Sequence, residues 1–296
     1  MSGKDMKAEM MSFGCIVAVC AMAIADEPTA QTHDSAVHDA GFVEAAHKWV
    51  SLSAFAEIQS AYLARGAVVD SNPFSAQFAD AELLFGDFGH VGGHAWSVTS
   101  LSRTGQSAPK RCAYNEVDYN LHYVYDWNIA DGWTLENRVA RQWVTLPGYR
   151  GGGVHTICEW HAAQALHNPW VTPYWLLRHA TRPGHWSYWD VGVKRSFGIC
   201  DDLSFTVDIF GELGDAHHFA AQYGGRPGGE AYHSGLQALN LVLRLDYKIT
   251  EYLGIYAFVW QFDLVSDAAR DAVKASSAPE AKRDITVFGV GVSLNF

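Results

Sequence analysis

The chain has 296 residues, of which 49% are hydrophobic, 13% are aromatic and only 18% are charged. Its 32 acidic residues outnumber its 21 basic residues and give a formal net charge of −11. The hydrophobic content excludes a disordered chain, and the acidic balance excludes nucleic acid as a partner. Many rings and few charges indicate that part of the surface faces something other than water.

Residues 1–25 have the order of features that is typical of an export signal. Lys4 and Lys7 precede an apolar run, and this run ends on the small residues Ala23 and Ala25, where a signal peptidase could cut. The run is too short to cross a bilayer as a helix. We therefore expect residues 1–25 to be removed on export.

The remainder of the chain contains no run of 18 consecutive apolar residues, so no transmembrane helix is predicted. We expect residues 26–48 to form a periplasmic segment and residues 49–296 to form one domain. After removal of the signal, the chain keeps Cys112, Cys158 and Cys200. Three cysteines allow at most one disulfide, which leaves a bridge between the first two open and favours the third as a free thiol.

Polar and apolar side chains alternate with a period of two in long segments of the chain. In residues 116–127, polar Glu116 and Asp118 alternate with apolar Val117 and Tyr119, and the pattern continues along the segment. Such alternation over about ten residues is longer than the five or six residues of a common strand. It fits the roughly 9 to 11 residues that a barrel strand needs to cross a membrane.

Turn residues divide the chain into twelve such segments. They lie at 50–65, 74–86, 94–102, 115–127, 133–146, 156–166, 171–180, 186–199, 203–214, 235–247, 253–264 and 284–296. An even number lets an antiparallel sheet close with no unpaired edge. The sequence therefore predicts an all-β fold, a twelve-stranded antiparallel transmembrane β-barrel, with ten or fourteen strands as alternatives.

The connections between these segments alternate in length, as expected for a barrel that begins in the periplasm. Short turns follow strands four, six, eight and ten, whereas the two longest connections, 215–234 and 265–283, follow strands nine and eleven. The six rings beside the short turns would form an aromatic belt, with ordinary core packing as the alternative. They are Trp49, Trp127, Trp133, Trp170, Tyr247 and Tyr252.

Two features resemble those of known outer-membrane barrels. The segment from Ser60 through Tyr62 and Arg65 to Gly66 resembles the S-x-Y-x-x-R-G opening hairpin of a broad group of bacterial outer-membrane barrels, some without an assigned function. The last strand, which ends on Phe296, resembles the C-terminal signal for barrel assembly. These resemblances imply a barrel in the bacterial outer membrane, with its lipids and the barrel assembly machinery as partners. At the extracellular end of strand one, Arg65 could pair with lumen carboxylates in a structural role.

If the apolar face meets lipid, the alternate face lines the lumen. The predicted lining contains ten acidic residues, five basic residues and one histidine: Glu57, Arg65, Glu82, Glu116, Asp118, His122, Glu136, Arg138, Glu159, Arg178, Asp190, Lys194, Asp208, Glu212, Arg244 and Asp246. An excess of carboxylates around a continuous water path predicts a preference for cations. A closed interior filled by ion pairs is the alternative.

The function predicted from this pattern is an outer-membrane channel for the passive passage of small hydrophilic solutes. A barrel anchor with adhesive or structural loops is the first alternative, and an outer-membrane hydrolase is the second. No G-x-S-x-G or H-E-x-x-H motif occurs, so no catalytic residue is assigned. We predict no cofactor and assign no metal site; His217, His218 and His233 are weak candidates in the loop after strand nine.

Overall fold

The computed structural model describes residues 49–101, 114–146, 156–224, 229–275 and 282–296. The predicted signal peptide, nearly all of the segment before the barrel, and Cys112 lie outside these ranges, so the pairing of Cys112 with Cys158 is not addressed. Residues Val50–Phe296 form one compact unit. In the described ranges, no helix has both the length and the apolar character needed to cross a membrane.

The described residues contain fourteen strands. They are β1 (Val50–Gln59), β2 (Tyr62–Ala64), β3 (Ala67–Asp70), β4 (Phe74–Leu84), β5 (His90–Ser100), β6 (Tyr114–Ala130), β7 (Trp133–Thr145), β8 (Thr156–His167), β9 (Thr172–Arg182), β10 (Trp186–Cys200), β11 (Leu203–Gly214), β12 (Gly235–Lys248), β13 (Leu253–Leu264) and β14 (Asp284–Asn295). All except β2 and β3 pair with their neighbours in sequence, and β1 also pairs with β14. This closed barrel of twelve antiparallel strands confirms the predicted fold class.

The period of two decides which side chains face inward. Along β6, Asp118 and Asn120 are buried, whereas the exposed fractions of Tyr119 and Leu121 are 55% and 57%. The same alternation runs through the paired strands, since directly opposed residues in a sheet share a face. The barrel therefore has an apolar outer wall and a polar inner wall.

The two ends of the barrel differ, and we name them by their connections. The turn end carries the short turns that follow β4, β6, β8, β10 and β12. It also joins the start and end of the domain, because the backbone amide of Phe296 donates to the carbonyl of Leu52 at 2.8 Å. Rings collect at this end: Trp170 meets Trp133 edge to face, and Tyr252 stacks on Phe296. These rings, of which Trp170 is exposed and the other three are half-buried, have the position expected of an interfacial belt.

The first strand is shorter than predicted. It ends at Gln59 rather than at residue 65, and the chain then forms the small hairpin of β2 and β3. Arg65 and Gly66 make the tight turn with φ angles of 52° and 74°. A Cβ at Gly66 would overlap the side chain of Gln237, so glycine is required by both backbone and space. Tyr62 and Leu63 are both buried, so the hairpin does not continue the alternation of the barrel wall.

Two helices lie in connections that the sequence indicated were loops. Helix α1 (Ala216–Tyr223) begins after Asp215, whose carboxylate accepts a 2.7 Å hydrogen bond from the backbone amide of His218. Helix α2 (Asp267–Ala275) buries Ala269 and Ala272, which lie three residues apart on one face. Both helices are short and depend on the surfaces against which they pack.

The β2–β3 hairpin, α1 and α2 pack together at the loop end, and we call these three elements the cap. Leu63 of the hairpin, Phe219 of α1 and Ala269 of α2 share one buried cluster with Phe262 and Leu264 of the barrel wall. Burial of this apolar surface is what holds the cap against the wall. The cap therefore occupies the loop end of the barrel.

Candidate functional site: the barrel lumen

The predicted lining residues are all found at inward positions or on the cap. Cross-strand register pairs several of them directly, for example Asp190 with Glu212 and Lys194 with Asp208. On each barrel strand, the predicted lining residues occupy the alternate positions whose side chains point into the barrel. Arg65 is the member that does not lie on a barrel strand, because it forms the tip of the β2–β3 hairpin.

The loop-end half of the lumen is a dry cluster centred on Arg65. Its guanidinium lies 3.5 Å from the carboxylate of Glu116 and 3.4 Å from that of Glu159, both of which are almost fully buried. Tyr62 of the same hairpin donates a 2.8 Å hydrogen bond to Glu116. The hairpin is therefore attached to the wall by one cation between two carboxylates and by a phenol. A buried arrangement of this kind leaves uncompensated charge if one partner is removed.

A second buried pair lies on β9 and β10. The guanidinium of Arg178 approaches the carboxylate of Asp190 to 2.5 Å and stacks 4.7 Å from the ring centre of Tyr188. The carboxylate of Asp118 accepts a 2.8 Å hydrogen bond from Gln142, which needs no cation. These carboxylates are thus held by specific side-chain partners.

The turn-end half of the lumen is open to solvent. The Arg244 and Asp246 side chains, 2.6 Å apart, are 38% and 34% exposed. Glu136 and His167 are similarly accessible, and Lys194 is exposed. Exposed pairs of this kind add little stability because water screens them. The inner wall therefore changes from wet at the turn end to dry beneath the cap.

Midway along the barrel, carboxylates and imidazoles meet on the wall formed by β4, β5 and β6. His122 is buried, with its Nε2 atom 2.9 Å from Glu82 and 3.9 Å from Asp80. His94 lies beside it, with the two ring centres 5.9 Å apart. The sequence analysis named Glu82 and His122 but missed Asp80 and His94. Asp80 has the same parity as Glu82 in a predicted strand, so the alternation already contained this signal.

The weak metal candidates in the loop after strand nine do not converge. His217 and His233 are exposed. His218 is buried, and its ring stacks 4.8 Å from Tyr188 and lies 5.2 Å from Trp186. In the described part of the chain, the group of ligand-type side chains close enough to share one ion is the mid-barrel group. His218 packs as a core aromatic residue of the cap.

Acid is expected to loosen the cap through His218. Burial, together with the charge of Arg65, lowers the pKa of His218 to about 4, although Asp215 opposes this shift. An unfolded histidine titrates near pH 6.5, so below that pH the unfolded state takes up a proton that the folded state does not. Cap stability should therefore fall from about pH 6.5 to pH 4. Because Trp186 contacts this ring, its fluorescence should report the change.

The matched variant for this measurement is His218→Phe, which keeps an aromatic ring in the same pocket. It should retain the neutral-pH fluorescence of Trp186 and lose the change between pH 6.5 and pH 4. An unaltered acid transition in this variant would assign the transition to another group.

A histidine and a serine do make contact, but outside the lumen. His179 Nδ1 lies 2.9 Å from Ser187 Oγ, and both residues have the parity of the outer wall. Among the described residues, no carboxylate lies within ion-pair distance of the His179 ring. A serine nucleophile is normally activated by a histidine that a third group orients. This pair lacks that third group and does not favour the hydrolase alternative.

The fold is similar to several solved outer-membrane barrels at low sequence identity. The KdgM porin is 9% identical, with a TM-score of 0.44 over 83% of this chain and 99% of that chain. An outer membrane channel from Pseudomonas putida F1 is 10% identical, with a TM-score of 0.49 over 84% and 96%. Outer membrane phospholipase A from Escherichia coli is 13% identical, with a TM-score of 0.43 over 83% and 92%. No protein-family model and no curated protein matches the chain. Similarities of this size carry no function across to it.

Proposed function

We propose that this protein is a bacterial outer-membrane channel that passes small hydrophilic solutes passively and prefers cations. The observation that carries the proposal is the excess of carboxylates along a lumen that is wet over its turn-end half. The ten predicted carboxylates and Asp80 lie at inward positions, whereas the predicted basic groups are four on the wall and Arg65 on the cap. Fixed negative charge lowers the energy of a cation entering a pore and raises that of an anion. The apolar outer wall and the belt of rings support insertion into a bilayer.

The cap sets the condition for passage. Hairpin β2–β3 is attached inside the loop end through Arg65, so a continuous water path requires the hairpin to move. In this proposal the hairpin is the gate, and the wet half of the lumen is the vestibule beneath it. Gates of this kind use a segment with two arrangements of similar energy.

Assembly and location follow from the same proposal. The last strand, β14, pairs with both β13 and β1, and its alternation ends on Phe296. This closing strand is the segment that we propose the barrel assembly machinery recognises, with outer-membrane lipids covering the apolar wall. The export signal predicted at residues 1–25 is consistent with that route.

Planar-bilayer recording tests the proposal directly. The purified protein, placed between solutions of different KCl concentration, should give discrete current steps with a reversal potential of the sign for cations. Replacing Glu136 by lysine should move the reversal potential toward that of an anion channel, because Glu136 lies in the wet part of the lumen. The control is Glu251→Lys, which makes the same change in net charge at an exposed residue in the turn after β12, outside the lumen.

The closed-barrel anchor is the second candidate, and the dry cluster around Arg65 is the observation that favours it. A folded protein that inserts into bilayers yet gives no current at any voltage would support the anchor and refute the channel. Equal reversal potentials in the wild type and the Glu136→Lys variant, with current present, would refute cation preference through this wall.

A further inference from the structure

Five side chains with metal-binding groups lie on the lumen wall formed by β4, β5 and β6. Asp80 and Glu82 lie on β4, His90 and His94 on β5, and His122 on β6. The register explains the grouping, because Asp80 is directly opposite His94 and the two share the inner face. Three adjacent strands thus present imidazoles and carboxylates to one place.

A glycine makes room for the group. Gly92 lies between Glu82 and His122 in the register, and a Cβ at this position would overlap both of their side chains. Because β5 has no side chain here, Glu82 and His122 meet across it at 2.9 Å. The wall is therefore shaped for contact between these two groups.

Ligand atoms in this group are close together and have no partner assigned. One ligand atom each from Asp80, His94 and His122 lie within 4.8 Å of one another. Asp80 Oδ1 and His94 Nδ1 are shielded from water and have no hydrogen-bond partner among the described residues. Both atoms are therefore available to bind a cation.

The hydrogen bonds of His122 direct its Nε2 atom toward the group. The Asn120 amide donates to Gln142 through its nitrogen, so its oxygen accepts from Nδ1–H of His122 at 3.1 Å. This hydrogen bond places the proton on Nδ1 and leaves a lone pair on Nε2. In metal-binding histidines, the ring nitrogen that does not touch the metal makes a hydrogen bond of the same kind. The carboxylate of Glu82 faces this same Nε2. A metal ion held by both atoms would offset the repulsion between them at this distance of 2.9 Å.

We propose that Asp80, His94 and His122 bind one divalent transition-metal ion, best matched by Zn²⁺, with Glu82 as an additional carboxylate at the site. Two imidazoles and a carboxylate suit zinc, whereas magnesium and calcium prefer sites made entirely of oxygen. Arg138 and His161 are the nearby basic groups that oppose a bound cation. The inference does not depend on whether the barrel conducts.

Isothermal titration of the full-length, tag-free protein in detergent tests this site. After removal of metal with EDTA, ZnCl2 should bind with a stoichiometry of one at this site, and MgCl2 should not compete. His94→Gln and Asp80→Asn should each weaken Zn²⁺ binding more than about tenfold, since even partners that only support a ligand change metal affinity 10- to 100-fold. The slower gel migration of heated protein checks that each variant still forms a barrel.

The control is His167→Gln, because His167 also pairs with a carboxylate, Glu136, but has no second imidazole in its group. This variant should bind Zn²⁺ as the wild type does. Absence of Zn²⁺ binding in the wild type, or wild-type affinity in folded His94→Gln and Asp80→Asn, would overturn the proposal. An equal loss in His167→Gln would also overturn it, because binding would then be nonspecific. None of these outcomes depends on channel recordings.

Discussion

Replacing Arg65 by alanine is expected to lower the free energy of unfolding by about 3 kcal/mol or more and to raise the open fraction of the channel several-fold. The guanidinium compensates Glu116 and Glu159, which have almost no contact with water. Removal of one partner from a buried ionic group typically costs about 3–5 kcal/mol, because the remaining charge is left uncompensated. The same loss frees the hairpin from the wall, which under the proposed function opens the loop end.

The measurements are urea unfolding in lipid vesicles and single-channel recording on the same preparations. Arg244→Ala is the matched control, since Arg244 also pairs with a lumen carboxylate but lies in the wet half. Screened pairs contribute about 0–1 kcal/mol, so this variant should unfold almost as the wild type does. If both variants lose the same stability, the distinction between the dry and wet halves is wrong. If Arg65→Ala is destabilised without any change in current, the hairpin is not the gate.

Replacing Val139 by arginine is expected to destabilise the protein in a bilayer by about 2–4 kcal/mol. Val139 lies at the middle of β7, has an exposed fraction of 53% and belongs to the outer wall. If that wall meets acyl chains, a guanidinium there has neither water nor a counter-ion. The prediction applies to unfolding from lipid vesicles, where the hydrocarbon is present.

Ser196→Arg is the control for this substitution. Ser196 is also exposed, but it lies on the inner wall of β10 in the wet half of the lumen. Arginine there can remain hydrated and should change the free energy of unfolding by less than about 1 kcal/mol. Equal stability of Val139→Arg and the wild type in vesicles would contradict the assignment of the outer wall to lipid. A folded monomer in buffer without detergent would contradict it as well.

Much of the barrel could be predicted because strand alternation is a local property. The strand predicted at 253–264 matches β13 fully, and that at 133–146 exceeds β7 by one residue. Each of these segments has its own period of two, which requires one wet and one apolar face regardless of neighbours. Turn residues mark most of the boundaries, but β5 begins at His90 rather than at residue 94, and β6 ends at Ala130 rather than at residue 127.

The end of the first strand and the two helices could not be predicted in this way. The barrel strand ends at Gln59 and the chain turns at Arg65, where two carboxylates, 51 and 94 residues away, receive its charge. Helix α1 is capped locally by Asp215, but its Phe219 is buried only because elements from both ends of the domain meet there. Short helices owe their stability to such packing rather than to propensity.

The sequence by itself determined which residues share a wall, because parity along an extended strand is fixed by the backbone and needs no partner. It assigned Glu82 and His122 to the lumen on this basis alone. Only the tertiary structure decided the height of each side chain along the barrel, since register is set by how neighbouring strands slide and close. That register is what brings Asp80 opposite His94, places both beside His122, and positions Arg65 between Glu116 and Glu159.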